Sequence, residues 1–222
     1  MKVAVIPARS GSEELAHKNL SVVGGKSLLN RAIDFAVEVE VFDKIIVTTD
    51  YCEHLFYREG IEVRHRPEDL ATSRATMVEV LADVIETFGL APEDKVVLLQ
   101  PTSPFRVFED LVKVLELMEE YDSVITVKEL EYNSALFVTP TSDTELESKQ
   151  VDACQTNRQE QPKYYYPNGN LFGVTVKTFC KTQSFYGGNL GYVLQKGKCN
   201  IDINHKDDLL FAQFLGQQDE EE

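Results

Sequence analysis

Arg9 and Lys18 flank a short run of small residues, Ser10-Gly11-Ser12, that follows directly on the apolar stretch Lys2-Val3-Ala4-Val5-Ile6-Pro7. Small side chains let backbone N–H groups approach an anion, and two nearby cations neutralise it, so the chemistry these residues suit is the holding of phosphate. The loop is neither a Walker-type phosphate loop nor the G-x-G-x-x-G fingerprint. Taken alone, Ser-Gly-Ser reads better as a surface turn with scattered charges. Two further polar clusters end apolar runs. Gln100-Pro101-Thr102-Ser103-Pro104-Phe105-Arg106 follows Lys95–Leu99 as a loop stiffened by its prolines, and Ile201-Asp202-Ile203-Asn204 precedes the last helical stretch.

Such loops sit at the carboxyl ends of strands, so the elements around them decide whether they meet. The β-branched start reads as a buried strand. Ser27 can cap a helix carrying Leu28, Leu29, Ala32, Ile33 and Ala36, and Lys44–Asp50 is a second strand ending in a carboxylate. A helix over 53–58 and a short strand over 61–63 follow, then the basic patch Arg64-His65-Arg66-Pro67. Thr76 and Glu79 have capping-box spacing and open a helix through Phe88. Lys95–Gln100 reads as a strand buried on both faces, 111–118 as a helix and 123–127 as a strand. Beyond 128 the alternation weakens. Glu129–Pro167 is polar and irregular, 170–177 and 190–195 read as strands, and 207–215 reads as a helix that Asp207 can cap. Strands alternating with helices predict an α/β fold, a doubly wound and mostly parallel sheet in three α/β/α layers.

The chain has 222 residues, 43% of them hydrophobic and 27% charged, enough for one domain with a sizeable core. We expect a single domain over 1–218, with an irregular segment around 129–190 and an acidic, disordered tail over 219–222. No apolar run approaches the roughly 20 residues of a membrane helix, and no signal-peptide pattern precedes the first strand, so the expected setting is the cytoplasm. Cys52, Cys154, Cys180 and Cys199 are widely spaced and read as free thiols. The formal net charge is −15, of which the tail supplies four, leaving −11. That argues against non-specific nucleic-acid or anionic-membrane binding. It leaves room for a small anionic ligand held by a local cluster of Arg and Lys, helped by a divalent cation.

An ordered set of segments resembles the acylneuraminate cytidylyltransferases, the CMP-sialic acid synthetase family. The segments are Ile6-Pro7-Ala8-Arg9, Lys18-Asn19-Leu20, Gly25-Lys26-Ser27-Leu28, Val47-Thr48-Thr49-Asp50, Arg66-Pro67-Glu68-Asp69-Leu70-Ala71, Leu99 to Arg106, Pro167-Asn168-Gly169 and Ile201-Asp202-Ile203. The resemblance implies a Rossmann-like nucleotidyltransferase that joins CMP from CTP to a sialic-acid-like sugar and releases diphosphate. It also implies Mg²⁺ and a homodimer in which the irregular segment of one subunit completes the other's sugar site. Carried over residue by residue, Ala8, Arg9, Ser10, Gly11, Ser12, Lys18, Asn19 and Arg66 would hold the nucleotide. Gln100, Arg106, Arg158, Gln159 and Asn168 would hold the sugar, and Arg9, Lys18 and Asp202 would serve catalysis. Asp202 and Asn204 would face the metal, a carboxylate being a hard oxygen donor suited to Mg²⁺. Each also has a plainer reading: solvated charge for Arg9 and Lys18, a helix-flanking salt bridge for Arg66, a strand-end amide for Gln100, a helix-start brace for Arg106, and a turn for Asn168-Gly169.

The chain departs from the family's pattern in three places. Glu13 stands where a lysine is usual, Asn204 where a second aspartate is usual, and Ala16-His17 where a proline precedes the Lys-Asn pair. His17, if protonated, would restore part of the missing charge. Three alternatives therefore stand beside the leading reading: a Kdo-type synthetase, an enzyme using another nucleotide, and a binding protein that has lost turnover.

Overall fold

The structure, a computed structural model, describes residues 1–12, 14–56, 58–130, 138–148 and 163–221, residue 148 and the last three without their side chains. Its elements run β1 (Lys2–Ala8), β2 (Val22–Val23), β3 (Lys26–Ser27), α1 (Leu28–Glu38), β4 (Lys44–Thr49), β5 (Glu62–His65), α2 (Met77–Phe88) and β6 (Lys95–Leu98). They continue with α3 (Phe108–Leu117), β7 (Ser123–Glu129), β8 (Val138–Pro140), β9 (Leu146–Ser148), β10 (Tyr165–Thr175), α4 (Val176–Thr182), β11 (Leu190–Leu194) and α5 (Lys206–Glu221).

Seven strands form one sheet in the order β11-β7-β10-β6-β1-β4-β5. β1 pairs in parallel with β4 and β6, β4 with β5, and β7 with β11; β10 runs antiparallel between β6 and β7. The chain builds outward from β1 through β4 and β5, then crosses back to lay β6 on the other side of β1. The strand order therefore reverses at β1, and the loops after β1 and β6 leave the same rim.

The apolar faces explain the layering. Leu29, Ile33 and Ala36 of α1 and Leu111, Val114 and Leu115 of α3 pack on one face of the sheet, with Ala4, Ile6, Val47 and Val97. Leu81 and Val84 of α2 and Val176 and Phe179 of α4 cover the other face, over Val3, Val5, Ile46 and Val174. A third cluster joins Val23, Leu28, Phe105, Ile203 and Ala212 and seats α5 against the β2–β3 hairpin. The expected doubly wound, three-layer α/β/α fold is therefore the one found.

Local chemistry sets the ends. The Ser27 hydroxyl accepts from the Asn30 N–H at 3.1 Å, and Thr76 with Glu79 forms the anticipated capping box. Four expectations need correction. The 53–58 helix is only a 3₁₀ turn over Glu53–Leu55. The strand expected over 170–177 starts earlier, at Tyr165, and stops at Thr175, whose hydroxyl caps a helix from Val176. β-branched Thr175-Val176 suits either state, and the cap decides. The last helix starts at Lys206, and the Asp208 carboxylate accepts the Asn204 and His205 N–H groups at 2.9 and 2.8 Å, so Asp208 performs the service expected of Asp207. The same helix continues to Glu221, through most of the tail expected to be disordered, because no breaker follows Gly216.

One glycine is fixed by packing. A Cβ on Gly173 of β10 would lie 2.5 Å from Met118 Sδ and 3.2 Å from Val114 Cγ1 of α3. Gly173→Ala should therefore overpack the sheet–helix interface and lower unfolding free energy by about 1–3 kcal/mol in a denaturant titration. A change below a few tenths of that would show that α3 does not press on β10.

Candidate active site

Three loops converge on the rim where the strand order reverses. Pro7 lies near the end of β1, Arg9, Ser12, Lys18 and Asn19 follow it, Arg66 follows β5, and Gln100, Pro101 and Thr102 follow β6; together with Met77 they line a cavity of about 160 Å³. Of the residues assigned to the nucleotide from sequence, Arg9, Ser12, Lys18, Asn19 and Arg66 thus come together around one cavity, joined by Gln100 from the sugar set. Among the described residues, Arg9, Lys18 and Arg66 form no ion pair.

The first loop is held by its neighbours rather than by its own packing. The Asn19 amide donates to the Arg9 carbonyl at 2.9 Å, so a buried Asn fixes the turn that carries Arg9. The Ser10 N–H donates to Asp50 at 2.7 Å and its hydroxyl donates to the other carboxylate oxygen. Asp50 was legible only as an acidic strand end; its hold on the loop appears once β1 and β4 are paired. Ala8 is the buried end of β1, in register with Thr49. Gly11 is exposed, and a Cβ there would meet no atom within 4 Å, so the protein itself does not demand a glycine at that point. His17 adopts φ 52° and sets its ring 6.3 Å from that of Tyr51; it does not line the cavity. Glu13 lies outside the described residues, as do Arg158 and Gln159.

Burial sharpens the cations. The buried Arg66 guanidinium donates through Nε to the Thr48 carbonyl and hydroxyl at 3.2 and 3.1 Å, while one terminal nitrogen is buried with no partner. Burial pushes it down to about 10, Asp50 opposes that, and Arg9 adds to it. Burial also lowers the half-buried Lys18 ammonium, against the pull of Asp202 and Glu14. A cationic group whose charge is disfavoured this way gains most when an anion arrives.

Asp202 does not line this cavity but lies close enough to Lys18 to favour its charge. The Ile203 N–H donates to the Thr102 carbonyl at 2.8 Å, which stitches residues 201–204 to the Gln100 loop. Asp202 and Asn204 line a second hollow of about 420 Å³ with Lys128, Tyr166, His205 and Phe211. Gly169, at φ +81°, lets β10 pass close by: a Cβ there would lie 3.5 Å from Ser103 Oγ and 3.6 Å from Asp202 Cγ. Asn204 Nδ2 donates to Asp202 Oδ2 at 3.0 Å, whereas Asp202 Oδ1 is buried without a partner. An orphaned carboxylate oxygen needs a donor or a cation. Among the described residues no group of three acidic, His or Cys side chains forms a closed metal cage. Mg²⁺ typically takes one or two protein oxygens and completes its shell with water and phosphate, and a carboxylate oxygen such as Asp202 Oδ1 is a donor of that type.

Two residues assigned to the sugar do other work here. Asn168 is buried, and its Nδ2 donates to Gln195 Oε1 at 2.7 Å and Asn200 Oδ1 at 2.9 Å, while its Oδ1 accepts from the Thr126 hydroxyl at 2.7 Å. Its amide is engaged inside the fold. Arg106 does not reach the cavity that holds Arg9 and Lys18. It lines a separate one, and its guanidinium donates to the Gln100 carbonyl, bracing the loop from behind.

A mostly parallel sheet with a cation-lined cavity at its switch in strand order is the architecture of nucleotide-binding α/β proteins. The chain belongs to the cytidylyltransferase family, whose model, described as "Cytidylyltransferase", matches residues 3–206. It is 32% identical to the N-acylneuraminate cytidylyltransferase of Escherichia coli O18:K1:H7, an alignment covering 97% of this chain and 52% of that one. It is 30% identical to the CMP-N,N'-diacetyllegionaminic acid synthase of Legionella pneumophila, over 83% of this chain and 82% of that one. The chain spans about half the length of the N-acylneuraminate cytidylyltransferases it matches. In fold it resembles a CMP:2-keto-3-deoxy-manno-octonic acid synthetase complexed with CTP, with a TM-score of 0.71 and 17% identity over 98% of this chain and 99% of that one. It also resembles the 4-diphosphocytidyl-2C-methyl-D-erythritol synthase of Anaerococcus prevotii, with a TM-score of 0.66 and 17% identity over 97% and 98%.

The Asn168 network carries a prediction of its own. Asn168→Ala leaves the Gln195 and Asn200 acceptors and the Thr126 hydroxyl without their partner, and should cost about 1–3 kcal/mol of stability in a denaturant titration. Unchanged stability would return Asn168 to the pool of ligand-binding candidates.

Proposed function

We propose that this chain activates a nonulosonic, sialic-acid-like sugar by transferring CMP to it from CTP. The observation that carries the reading is the convergence of Arg9, Lys18 and Arg66 on one cavity, with Asp202, which has an unpartnered oxygen, near enough to Lys18 to favour its charge. Family membership and the named relatives support the same reaction class.

The reaction joins two anions, a sugar carboxylate and a triphosphate, so charge neutralisation and positioning dominate its barrier. The anomeric hydroxyl oxygen bonds to the α-phosphorus and gives up its proton, and the bond from that phosphorus to the bridging oxygen breaks to release diphosphate. Arg9 and Lys18 hold the phosphates, and Arg66 faces the nucleotide. Gln100, fixed by the brace from Arg106, presents its amide towards the sugar. Asp202 would hold Mg²⁺ through Oδ1. The Asn204 amide nitrogen is engaged by Asp202, so Asn204 would offer its oxygen. When bound, the ion neutralises triphosphate charge and polarises the phosphoryl oxygens.

The same reading includes the domain, its setting and its pairing. Residues 1–218 act as one cytidylyltransferase domain, supported by the single seven-stranded sheet, and 129–190 carries the dimer contact and sugar site. Among the described residues no helix is long and apolar enough to cross a membrane. Cys52, Cys180 and Cys199 are free thiols, which supports work in the reducing cytoplasm. Pairing into a homodimer uses the exposed aromatic surface where Tyr165 of β10 stacks on Tyr192 of edge strand β11 at 5.3 Å, with exposed Tyr166 of β10 and Leu190 of β11.

The activity test is diphosphate release from CTP with Mg²⁺ and a panel of nonulosonic acids. We expect release with at least one of them, and a loss of about 10²-fold or more in kcat/KM for Arg9→Met or Lys18→Met. CTP binding without release, followed by activity once Glu13→Lys and Asn204→Asp are introduced, would assign the chain to a binding role instead. Substituting GTP separates a different nucleotide preference, and Kdo in the sugar panel separates that synthetase.

Alkaline pH provides a second check. Lys18 and Arg66 hold anions only while protonated, and burial lowers both, so each loses charge at a lower pH than an ordinary side chain of its type. CTP affinity should therefore fall as pH rises towards 10, and Lys18→Arg should move the onset of that fall upward. A flat affinity across that range would remove Lys18 from the site. For pairing, Tyr192→Lys should convert a dimer to a monomer in light scattering, and an unaltered mass would clear that edge of the role.

A further inference from the structure

The hollow lined by Asp202 is larger than the cavity lined by Arg9 and Lys18, about 420 Å³ against about 160 Å³. Small-molecule clefts usually begin at about 300 Å³, so the smaller cavity is too small to enclose a whole nucleoside triphosphate. Part of such a ligand must lie outside it. Lys18 marks the side on which the two spaces approach each other. It lines the first cavity, burial lowers its ammonium, and Asp202 and Asp208, which both line the hollow, are among the charges that oppose that lowering.

Most polar groups around the hollow are already committed. The Asp208 carboxylate accepts the Asn204 and His205 N–H groups, and the His205 ring bonds to the Glu14 carboxylate. Asn200 accepts from Asn168 and donates to the Gln195 carbonyl. Two groups of opposite sign are left. Asp202 Oδ1 is buried without a partner. Lys128, half-buried on β7, sets its ammonium 5.7 Å from the ring centre of Tyr166, its register partner on β10. Among the described residues no carboxylate forms an ion pair with Lys128, Asp202 included. Glu129, the next residue along the strand, alternates to the other face and pairs with Lys163 at 3.1 Å. A cation–π contact aims an ammonium but leaves its charge without a counter-ion. The free carboxylate oxygen calls for a cation, and the free ammonium for an anion. A metal-complexed phosphate brings both in one ligand, because Mg²⁺ keeps phosphate oxygens in its shell. A bare anion would instead meet Asp202 and Asp208.

We propose that Lys128 is a further substrate-binding residue, which holds the outer phosphates of the bound nucleotide, the half that leaves as diphosphate. This rests on CTP occupying the first cavity, as proposed above. Lys18 serves the phosphates on the cavity side and Lys128 those on the hollow side. The negative charge that builds on the departing diphosphate then meets an ammonium already fixed in place by Tyr166.

The test is calorimetric titration of CTP and of CMP, each with Mg²⁺, into the full chain and its Lys128→Met variant. CMP lacks the outer phosphates, so the pair separates a contact with those phosphates from a general change in the fold. We expect Lys128→Met to weaken CTP about tenfold or more, the scale of a lost hydrogen bond to a charged group, and to leave CMP as it was. Lys128→Arg should recover most of the CTP affinity. Lys2→Met, the same loss of charge on an exposed lysine at the far end of β1, should alter neither nucleotide. CTP affinity unchanged by Lys128→Met, or CTP and CMP weakened alike, would overturn the proposal. So would a raised KM for the nonulosonic acid with CTP affinity intact, which would turn Lys128 towards the sugar carboxylate. If CTP and CMP split as expected but the chain releases no diphosphate, the role of Lys128 stands and the proposed reaction fails. If Lys128→Met releases diphosphate with unaltered CTP affinity, the reaction stands and the role of Lys128 fails.

Discussion

The structure depends on keeping Arg9, Lys18 and Arg66 close together with no ion pair among the described residues, in a chain of net charge −15. Arg9, Lys18 and Arg66 would repel one another and lose hydration on burial, and both effects are visible in the lowering of Lys18 and Arg66. The fold offsets this with neutral and backbone contacts. Thr48 takes the Arg66 Nε, Asn19 pins the Arg9 carbonyl, and Asp50 is committed to Ser10 rather than to an arginine. Carboxylates stay close enough to soften the repulsion and far enough not to neutralise the site. An incoming anion then gains the attraction that an internal salt bridge would have absorbed.

The sheet makes that placement cheap. At the reversal in strand order, the loops after β1 and β6 leave adjacent strands on the same rim, and β5 delivers Arg66 from two strands away. β10, which runs antiparallel to its neighbours in the seven-stranded sheet, passes close to Ser103 and Asp202 at Gly169. The Asn168 network then ties β10 to β7 and to residues 195–200, so the Asp202 segment hangs from a buried polar frame. Such networks rigidify when fully satisfied.

Much of this was legible in the residues. Apolar runs of β-branched residues located β1, β4, β6 and β7, and the Thr76–Glu79 spacing located a helix start. Arg9, Lys18, Asn19, Arg66 and Gln100 were named from motif order and do share a cavity. What escaped was set by tertiary pairing. Asp50 reads as a strand end until β1 lies beside β4. Arg106 reads as a carboxylate ligand because nothing local shows that its guanidinium turns back to Gln100. Asn168 reads as a ligand through the Pro167-Asn168-Gly169 resemblance and as a turn from its Asn-Gly pair, whereas β10 carries it into the interior. The strand expected through Lys177 failed for a local reason: Thr175 capped a helix where propensity was balanced.

The central claim is that one rim of an acidic protein is made positive enough to seat a triphosphate beside Asp202. The most direct measurement is a crystal structure with CTP and Mn²⁺, collected at the manganese absorption edge. The account predicts the triphosphate against Arg9 and Lys18, with an anomalous peak in coordination contact with Asp202 Oδ1. A nucleotide bound elsewhere on the chain, or a metal peak remote from Asp202, would contradict it.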